Sequence, residues 1–197
     1  MLLRTTTFLA LLLVTAIAAA AQHTGHGASS SYVGEQARKI ASLSEDDLAE
    51  LARGGGWGLA RAAELNGVPG PAHLLELADE IGLEDDQRAA VEAIRDEMRA
   101  DAIAAGERFV AAERALDASF TDAVPERAEL TRLVEATGTA RAALRLVHLS
   151  AHLRTMPLLT EAQVERYDVL RGYADDPCDA VPEGHDPKMW RRHNGCE

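Results

Sequence analysis

Residues 84–120 read EDDQRAAVEAIRDEMRADAIAAGERFVAAERALDASF and contain no proline. Apolar residues recur in this stretch at gaps of three and four, which places them on one face of an α-helix. They are Val91, Ile94, Met98, Ala102, Ala105, Phe109, Ala112, Leu116 and Phe120. A single helix of this length, about 55 Å at a rise of roughly 1.5 Å per residue, needs a partner helix or a second subunit along it. The stretch therefore predicts an all-α protein.

A second long helix is predicted over residues 126–155, after a turn that contains Pro125. Pro157 ends it, because proline cannot continue a helix. Two helices of similar length joined by a short turn predict a long antiparallel hairpin. We expect two copies to pair as a homodimer with a four-helix arrangement. The inner face of the second helix is predicted to consist of Leu130, Leu133, Val134, Thr137, Leu144, Val147 and Ala151.

Shorter helices are predicted on both sides of the hairpin. One begins at Ser44, with Asp47 as its capping partner, and stops at the glycines 54–56. Two more are predicted over residues 57–65 and 72–81, and a last one over 160–171. Short helices thus occupy residues 44–71, and the hairpin domain spans residues 72–173.

The N-terminus predicts export. Residues 8–21, FLALLLVTAIAAAA, follow a single positive charge at Arg4 and end in small residues before Gln22. This is the layout of a secretory signal peptide over residues 1–21, and it is too short for a comfortable membrane span. We expect a periplasmic protein with no stable membrane insertion after cleavage; an uncleaved anchor is the alternative. Residues 22–43, which begin QHTGHGASSS, are predicted to form a flexible linker.

Two cysteines lie in the C-terminal tail, residues 174–197. In an oxidising compartment Cys178 and Cys196 are expected to form a disulfide, which contributes on the order of 3 kcal/mol to the order of the tail. The alternative is a soft-metal site, because the segment between the cysteines also holds His185, Met189 and His193. The spacing of these residues matches no zinc-finger pattern.

Composition excludes several classes of protein. The chain has a net charge of −12 and only 4% aromatic residues. Few aromatics argue against a β-sandwich or barrel, and the acidity argues against nucleic acid or an anionic membrane as a partner. The sequence contains no G-x-S-x-G, P-loop, C-x-x-C or H-E-x-x-H motif, so we expect a non-enzymatic protein.

Two similar five-residue segments mark the starts of predicted helices. Leu159, Thr160 and Gln163 belong to LTEAQ, a capping box in which the Thr160 hydroxyl and the Gln163 side chain cap each other's backbone N–H. Leu83 and Gln87 belong to LEDDQ, the same layout at the start of the first long helix.

This pair of LTxxQ-like segments, behind a signal peptide and flanking a long hairpin, resembles the CpxP/Spy family of periplasmic helical proteins and its heavy-metal-sensing relatives of the ZraP and CnrX type. The resemblance covers about residues 72–173. It implies a role in envelope stress or heavy-metal response, through an envelope signalling protein or through unfolded clients. The chain departs from the family at Glu84, where the family has threonine. Its acidity also fits poorly with the basic client surface of the chaperone branch.

Three potential metal ligands follow one another along the second long helix. His148, His152 and Met156 are spaced four residues apart, so they lie on one stripe. The resemblance implies that a His-x-x-x-Met pair in this region acts with a histidine near the first motif, for which His73 is the candidate. Imidazole with thioether favours Cu, Ni or Co, and a carboxylate from Glu92 or Glu97 would admit Zn. Alternatively, these side chains are ordinary packed residues of the helix.

The sequence therefore predicts a protein that binds a transition metal ion through His73, His148, His152 and Met156 and thereby modulates a partner. The alternative function is an ATP-independent periplasmic holdase chaperone. A third possibility is a structural envelope protein that uses the hairpin only for assembly.

Overall fold

The computed structural model describes residues 30–121, 123–178, 181–193 and 195–196. The chain divides into two compact units, Met1–Gly34 and Glu35–Glu197. In the first unit only residues 30–34 are described, and they form a turn in which Val33 N–H donates to the Ser30 carbonyl at 3.2 Å. The predicted signal peptide and the start of the predicted linker lie outside the described residues.

The second unit is helical, and its described residues contain no β-strand, which confirms the all-α prediction. Short 3₁₀ helices cover Glu35–Ala37 and Met156–Leu158. No helix among the described residues is long and apolar enough to cross a membrane. The α-helices are α1 (Glu45–Ala52), α2 (Arg61–Glu64), α3 (Pro71–Glu76), α4 (Asp85–Ala118), α5 (Arg127–Thr155), α6 (Glu161–Leu170) and α7 (Pro187–His193).

The two long helices, α4 and α5, pack against each other. An ion pair of 2.7 Å joins Glu97 of α4 to Arg154 at the end of α5. The predicted helix over residues 84–120 is confirmed as α4, which begins one residue later and ends two residues earlier. The shorter helices α1 and α3 also pack on α4, which makes α4 the shared surface of the unit.

Two apolar clusters lie along α4. Near its start, Val91 packs with Leu74 and Ala78 from the α3 region and with Tyr167 of α6. Further along, one side of α4 packs against α1, α5 and the segment before α1. This second cluster comprises Ile40, Leu43, Leu51, Leu59, Ala102, Ala105, Phe109 and Leu144. Met98, which is only partly buried, lies between the two clusters along the helix.

Two residues predicted to face inward are exposed instead. Val134 is 52% exposed, because Leu133 takes the buried position and Leu144, eleven residues or about three turns later, continues that face. Phe120 is 55% exposed, since it lies beyond the last residue of α4 in the following turn.

The predicted helix over residues 57–65 is wrong at its start. Trp57 has a φ of 45° and Gly58 a φ of 65°, both in the left-handed region, which a right-handed helix cannot include. Helix α2 therefore begins only at Arg61. The predicted helix over residues 72–81 is also shorter in the structure, since α3 ends at Glu76 and turns follow it.

The packed chain begins earlier than the predicted linker boundary at residue 43 suggests. Ile40 and Leu43 form an isolated β-bridge, and both are almost fully buried in the second apolar cluster. The capping box at Ser44 follows directly, with Asp47 N–H donating to the Ser44 hydroxyl at 3.1 Å.

The two LTxxQ-like segments are joined through their glutamines. The side-chain amides of Gln87 and Gln163 donate to each other's oxygens at 2.9 and 2.8 Å. Each oxygen also accepts from the N-cap N–H of its own helix, Glu84 or Thr160. Each amide nitrogen donates its second hydrogen to the residue just before the other segment: Gln87 to the Leu158 carbonyl and Gln163 to that of Gly82. All hydrogen-bonding positions of both amides are thereby filled.

We predict that Gln87→Ala and Gln163→Ala are coupled. Each substitution should lower the free energy of unfolding by about 1–3 kcal/mol, because it leaves polar partners unpaired. The double variant should lose less than the sum, since the first substitution already breaks the shared bonds. Urea unfolding of the four proteins of the cycle measures the coupling, and additive losses would contradict a reciprocal pair.

The tail is closed by the Cys178–Cys196 disulfide, with the two Cα atoms 5.5 Å apart. The two cysteines therefore lie at disulfide distance, as predicted. Helix α7, which was not predicted, lies within the closed loop. Trp190 donates from its indole nitrogen to the Pro177 carbonyl at 2.8 Å and packs edge-on against the His185 ring.

Candidate functional site

A cavity of about 370 Å³ opens beside Glu64, and we call it the Glu64 cavity. Its walls come from the glycine-rich loop before α2, from α2 and α3, and from side chains of α4 and α5. The polar and sulfur-containing side chains among its lining are Arg61, Glu64, His73, Met98, His148, His152 and Tyr173.

The Glu64 carboxylate is the buried charge of this site, with a side chain only 11% exposed. Its Oε1 atom accepts the hydroxyls of Tyr167 and Tyr173. His73 Nδ1 lies 3.2 Å and Arg171 Nε 3.4 Å from the same oxygen. The other oxygen, Oε2, is buried without a hydrogen-bond partner among the described residues. One oxygen therefore carries most of the compensation of the charge, and the other lies 4.0 Å from His152 Nδ1.

Glu64 is ionised in the folded protein. Burial opposes ionisation, but the hydrogen bonds from His73 and Tyr167, together with the positive charges nearby, hold the pKa of Glu64 at about 2. Burial and the adjacent carboxylate raise the pKa of Tyr167, so its hydroxyl keeps the proton that it donates.

The Glu64 cluster predicts a stability that falls in acid. The pKa of the carboxyl drops from 4.5 to about 2 on folding, so ionised Glu64 contributes about 3 kcal/mol at pH values above its unfolded pKa. That contribution is lost as the pH falls from about 5 towards 2. The difference in unfolding free energy between wild type and Glu64→Gln, measured by urea unfolding, should shrink over this interval. A difference that stays constant with pH would contradict the prediction.

His152 is held by the segment that precedes α3. Its Nδ1 donates to the Val68 carbonyl at 2.6 Å, and because a carbonyl only accepts, Nδ1 carries the proton. The Thr155 hydroxyl donates to the Pro69 carbonyl at 2.6 Å one turn further on. These bonds fix the orientation of the His152 ring and do not use its Nε2.

Gly70 packs against the ring of His152. A Cβ at Gly70 would lie 2.4 Å from Nε2 and 2.6 Å from Cε1 of that ring. With 3.1 Å to Cδ2, these distances place Gly70 over the ring face, off the in-plane axis of the Nε2 lone pair. Only glycine permits this approach, because any side chain would overlap the imidazole.

We predict opposite effects for alanine at Gly70 and at Gly138. Gly70→Ala should destabilise the protein by about 1–3 kcal/mol and displace His152, because the new methyl group overlaps the ring. Gly138, within α5, has nothing within 4 Å of an added methyl group, so Gly138→Ala should stabilise the helix by about 0.5–1 kcal/mol. Thermal or urea unfolding measures both; equal stability of Gly70→Ala and wild type would contradict the close packing.

His148 is the other buried histidine of α5, one turn before His152. Only 3% of the residue is exposed, and its Nε2 has no hydrogen-bond partner among the described residues. Burial lowers the pKa of His148, and the neighbouring His152 lowers it further, against a smaller opposing effect of Glu50. The ring is therefore held neutral, the form in which imidazole binds metal ions.

The structure brings three of the four predicted metal ligands to one cavity. His73, His148 and His152 all line it. Met156 is instead the first residue of the 3₁₀ helix that follows α5, and the methionine among the described lining residues is Met98. Within the described residues, no group of three or more His, Cys, Asp or Glu side chains is already arranged to hold a metal ion.

The carboxylate at the cavity is Glu64, where the sequence suggested Glu92 or Glu97. Glu97 forms its ion pair with Arg154. Glu64 was missed because no motif surrounds it and its partner Tyr167 lies 103 residues away. A signal was nevertheless present: the segments GGGWG at 54–58 and NGVPGP at 66–71 are dense in glycine, and glycine is the residue that allows close backbone approach.

Comparisons with protein-family models, curated proteins and solved structures found no match to this chain. The resemblance to the CpxP/Spy family therefore stays a prediction from the residues that carry it. The chemistry of the Glu64 cavity is the remaining guide to function.

Proposed function

We propose that this chain is an exported, non-enzymatic helical protein that binds a transition metal ion in the Glu64 cavity. The observation that carries the proposal is the buried His148 Nε2, a neutral imidazole nitrogen without a protein partner among the described residues at the cavity. An unpaired buried nitrogen costs free energy unless a ligand satisfies it.

The hydrogen bonds of the other two histidines support the same conclusion. Metal-binding histidines commonly donate one ring N–H to a carboxylate or a backbone carbonyl, which orients the ring and frees the second nitrogen. His73 Nδ1 faces Glu64, and His152 Nδ1 donates to the Val68 carbonyl. In both rings the remaining nitrogen, Nε2, is the one available for a metal ion.

The chemistry of the donors favours a borderline or soft divalent ion. Imidazole nitrogens together with the thioether of Met98 suit Cu, Ni or Co, while the unpaired Oε2 of Glu64 would admit Zn. To bind one metal ion, some of these side chains must move closer to one another. His73 is the residue best able to do so, because its side chain is 39% exposed, whereas that of His152 is 9% exposed.

The test is a calorimetric titration of the protein with Cu, Ni, Co and Zn. His152→Asn keeps an amide donor near the position of Nδ1 but removes Nε2, so it should weaken binding at least about tenfold, or about 1.4 kcal/mol, while the fold persists. His148→Asn should have the same effect. The matched control is His193→Asn, the same substitution in the exposed tail, which should leave the affinity unchanged.

A pair of methionine variants separates this site from the stripe along α5. Met98→Leu should weaken binding of Cu, whereas Met156→Leu should not, because Met98 lines the cavity. Equal affinities in wild type, His148→Asn and His152→Asn would overturn the proposal.

We further propose that α4 and α5 act as an antiparallel hairpin that pairs with a second copy. Leu146 and Leu153 are seven residues apart on α5, hence on one face, and they are 64% and 68% exposed. A second copy would cover them and complete a four-helix arrangement. Metal binding beside α5 would then change the presentation of this face to an envelope signalling partner.

The same exposed leucines favour a second candidate function, an ATP-independent holdase that shields unfolded clients. The two functions differ in their need for metal. A holdase would suppress the aggregation of a client protein without added metal and equally well in His152→Asn.

A further inference from the structure

A second groove, of about 680 Å³, lies between α5 and the segment from Trp57 to Asn66. Three arginines line it: Arg61 of α2, and Arg141 and Arg145 of α5. We call it the arginine groove. It opens on a different side of residues 57–66 from the Glu64 cavity, and Gly58, Arg61 and Leu65 border both.

The three guanidinium groups have no carboxylate partner among the described residues. Other arginines of this chain, such as Arg38, Arg88 and Arg132, each pair with an acidic side chain. Within the part of the chain that the structure describes, by contrast, Arg61, Arg141 and Arg145 make no ion pair. In a chain with 32 acidic residues against 20 lysines and arginines, three adjacent arginines of this kind are a concentrated positive patch.

Two of the three guanidinium groups lie beside the turn that contains Trp57 and Gly58. The Arg141 guanidinium lies over the Trp57 ring, 5.5 Å from its centroid. Arg61 Nη2 would be 3.4 Å from a Cβ placed on Gly58, so it lies beside the same turn. Arg145 follows Arg141 by one helical turn, which places the two side chains on the same face of α5.

The rest of the groove is apolar and open. Trp57, Leu59 and Leu65 contribute apolar surface, and Leu65 is 57% exposed. Gly138 lies on the α5 side, where even a methyl group would meet nothing within 4 Å. A volume of this size is within the range of small-molecule sites.

We propose that the arginine groove binds a small organic anion that carries two or three carboxylate or phosphate groups. Guanidinium groups bind such oxygens in bidentate fashion, and three of them around one groove match a polyvalent anion better than a monovalent one. The apolar or planar part of the ligand lies against Trp57 and Leu65. The negative net charge of the chain does not prevent this, since charges beyond about 8 Å are largely screened at physiological salt.

The experiment follows the fluorescence of Trp57 on the metal-free protein. The chain has two tryptophans, so Trp190→Phe leaves Trp57 as the sole reporter. Citrate and inorganic pyrophosphate are the polyvalent probes, and acetate at equal ionic strength is the monovalent control. We expect a saturable change with either polyvalent probe and none with acetate. The absence of saturable binding of both probes, or an equal response to acetate, would overturn the proposal.

A double variant tests the arginines themselves. Arg141→Gln with Arg145→Gln should weaken the affinity for the bound probe at least about tenfold. Affinity is measured here by calorimetry, because loss of Arg141 alters the surroundings of Trp57. Neither residue lines the Glu64 cavity, so metal binding should be unchanged, which keeps the two proposals separable.

The matched control is the double variant Arg108→Gln with Arg114→Gln. Both arginines are exposed on α4, and replacing them removes the same charge as the test variant. This variant should keep the affinity for the probe within about twofold of wild type. If both double variants lost affinity for the probe equally, binding would depend only on the net charge of the protein. That result would contradict a specific anion site in the arginine groove.

Discussion

The buried charge of Glu64 is the constraint on which the arrangement of the second unit depends. A buried carboxylate costs several kcal/mol unless it is paired and hydrogen-bonded. Here the compensation comes from α3 through His73 and from the α6 region through Tyr167, Arg171 and Tyr173. Helix α2 is only four residues long, and Oε1 of Glu64 joins it to α3 and to the α6 region. If any of these three elements moved away, the buried carboxylate would lose some of its hydrogen bonds and ion pairs.

Other polar contacts join further elements of the same unit. The Gln87–Gln163 pair joins the helix starts, and the carbonyls of Val68 and Pro69 hold the end of α5. The apolar clusters lie on either side, along α4. Among the described residues that line the cavity, Glu64 Oε2 and His148 Nε2 are buried side-chain atoms without a hydrogen-bond partner.

The features that could be predicted from the sequence are local ones. Apolar periodicity within 34 residues defines α4, and a capping box needs only Thr160 and Gln163. The site depends on contacts between distant residues, and its composition could be predicted only in part. The four-residue spacing of the histidines predicted Met156 as the next ligand on the same face of the helix. In the structure α5 ends before Met156, which begins a 3₁₀ helix. The methionine that lines the cavity is Met98 of α4. The left-handed backbone of Trp57 and the exposed position of Val134 were not predicted either. Both depend on tertiary packing, which the local sequence pattern does not report.

The long separations of these contacts also set an order of folding. Gln87 binds residues 71 and 76 positions later, and the partners of Glu64 in and after α6 are 103 and 109 positions later. During synthesis from the N-terminus, α4 and α5 can form as helices, but Glu64 has no phenol to accept from until residue 167 has emerged. The hydrogen bonds from Tyr167 and Tyr173 to Glu64 can therefore form only after nearly the whole chain has been made. A nascent or cleaved chain that lacks α6 and the residues after it would lack these two hydroxyls. The Glu64 carboxylate, and α2 with it, would then remain in contact with water.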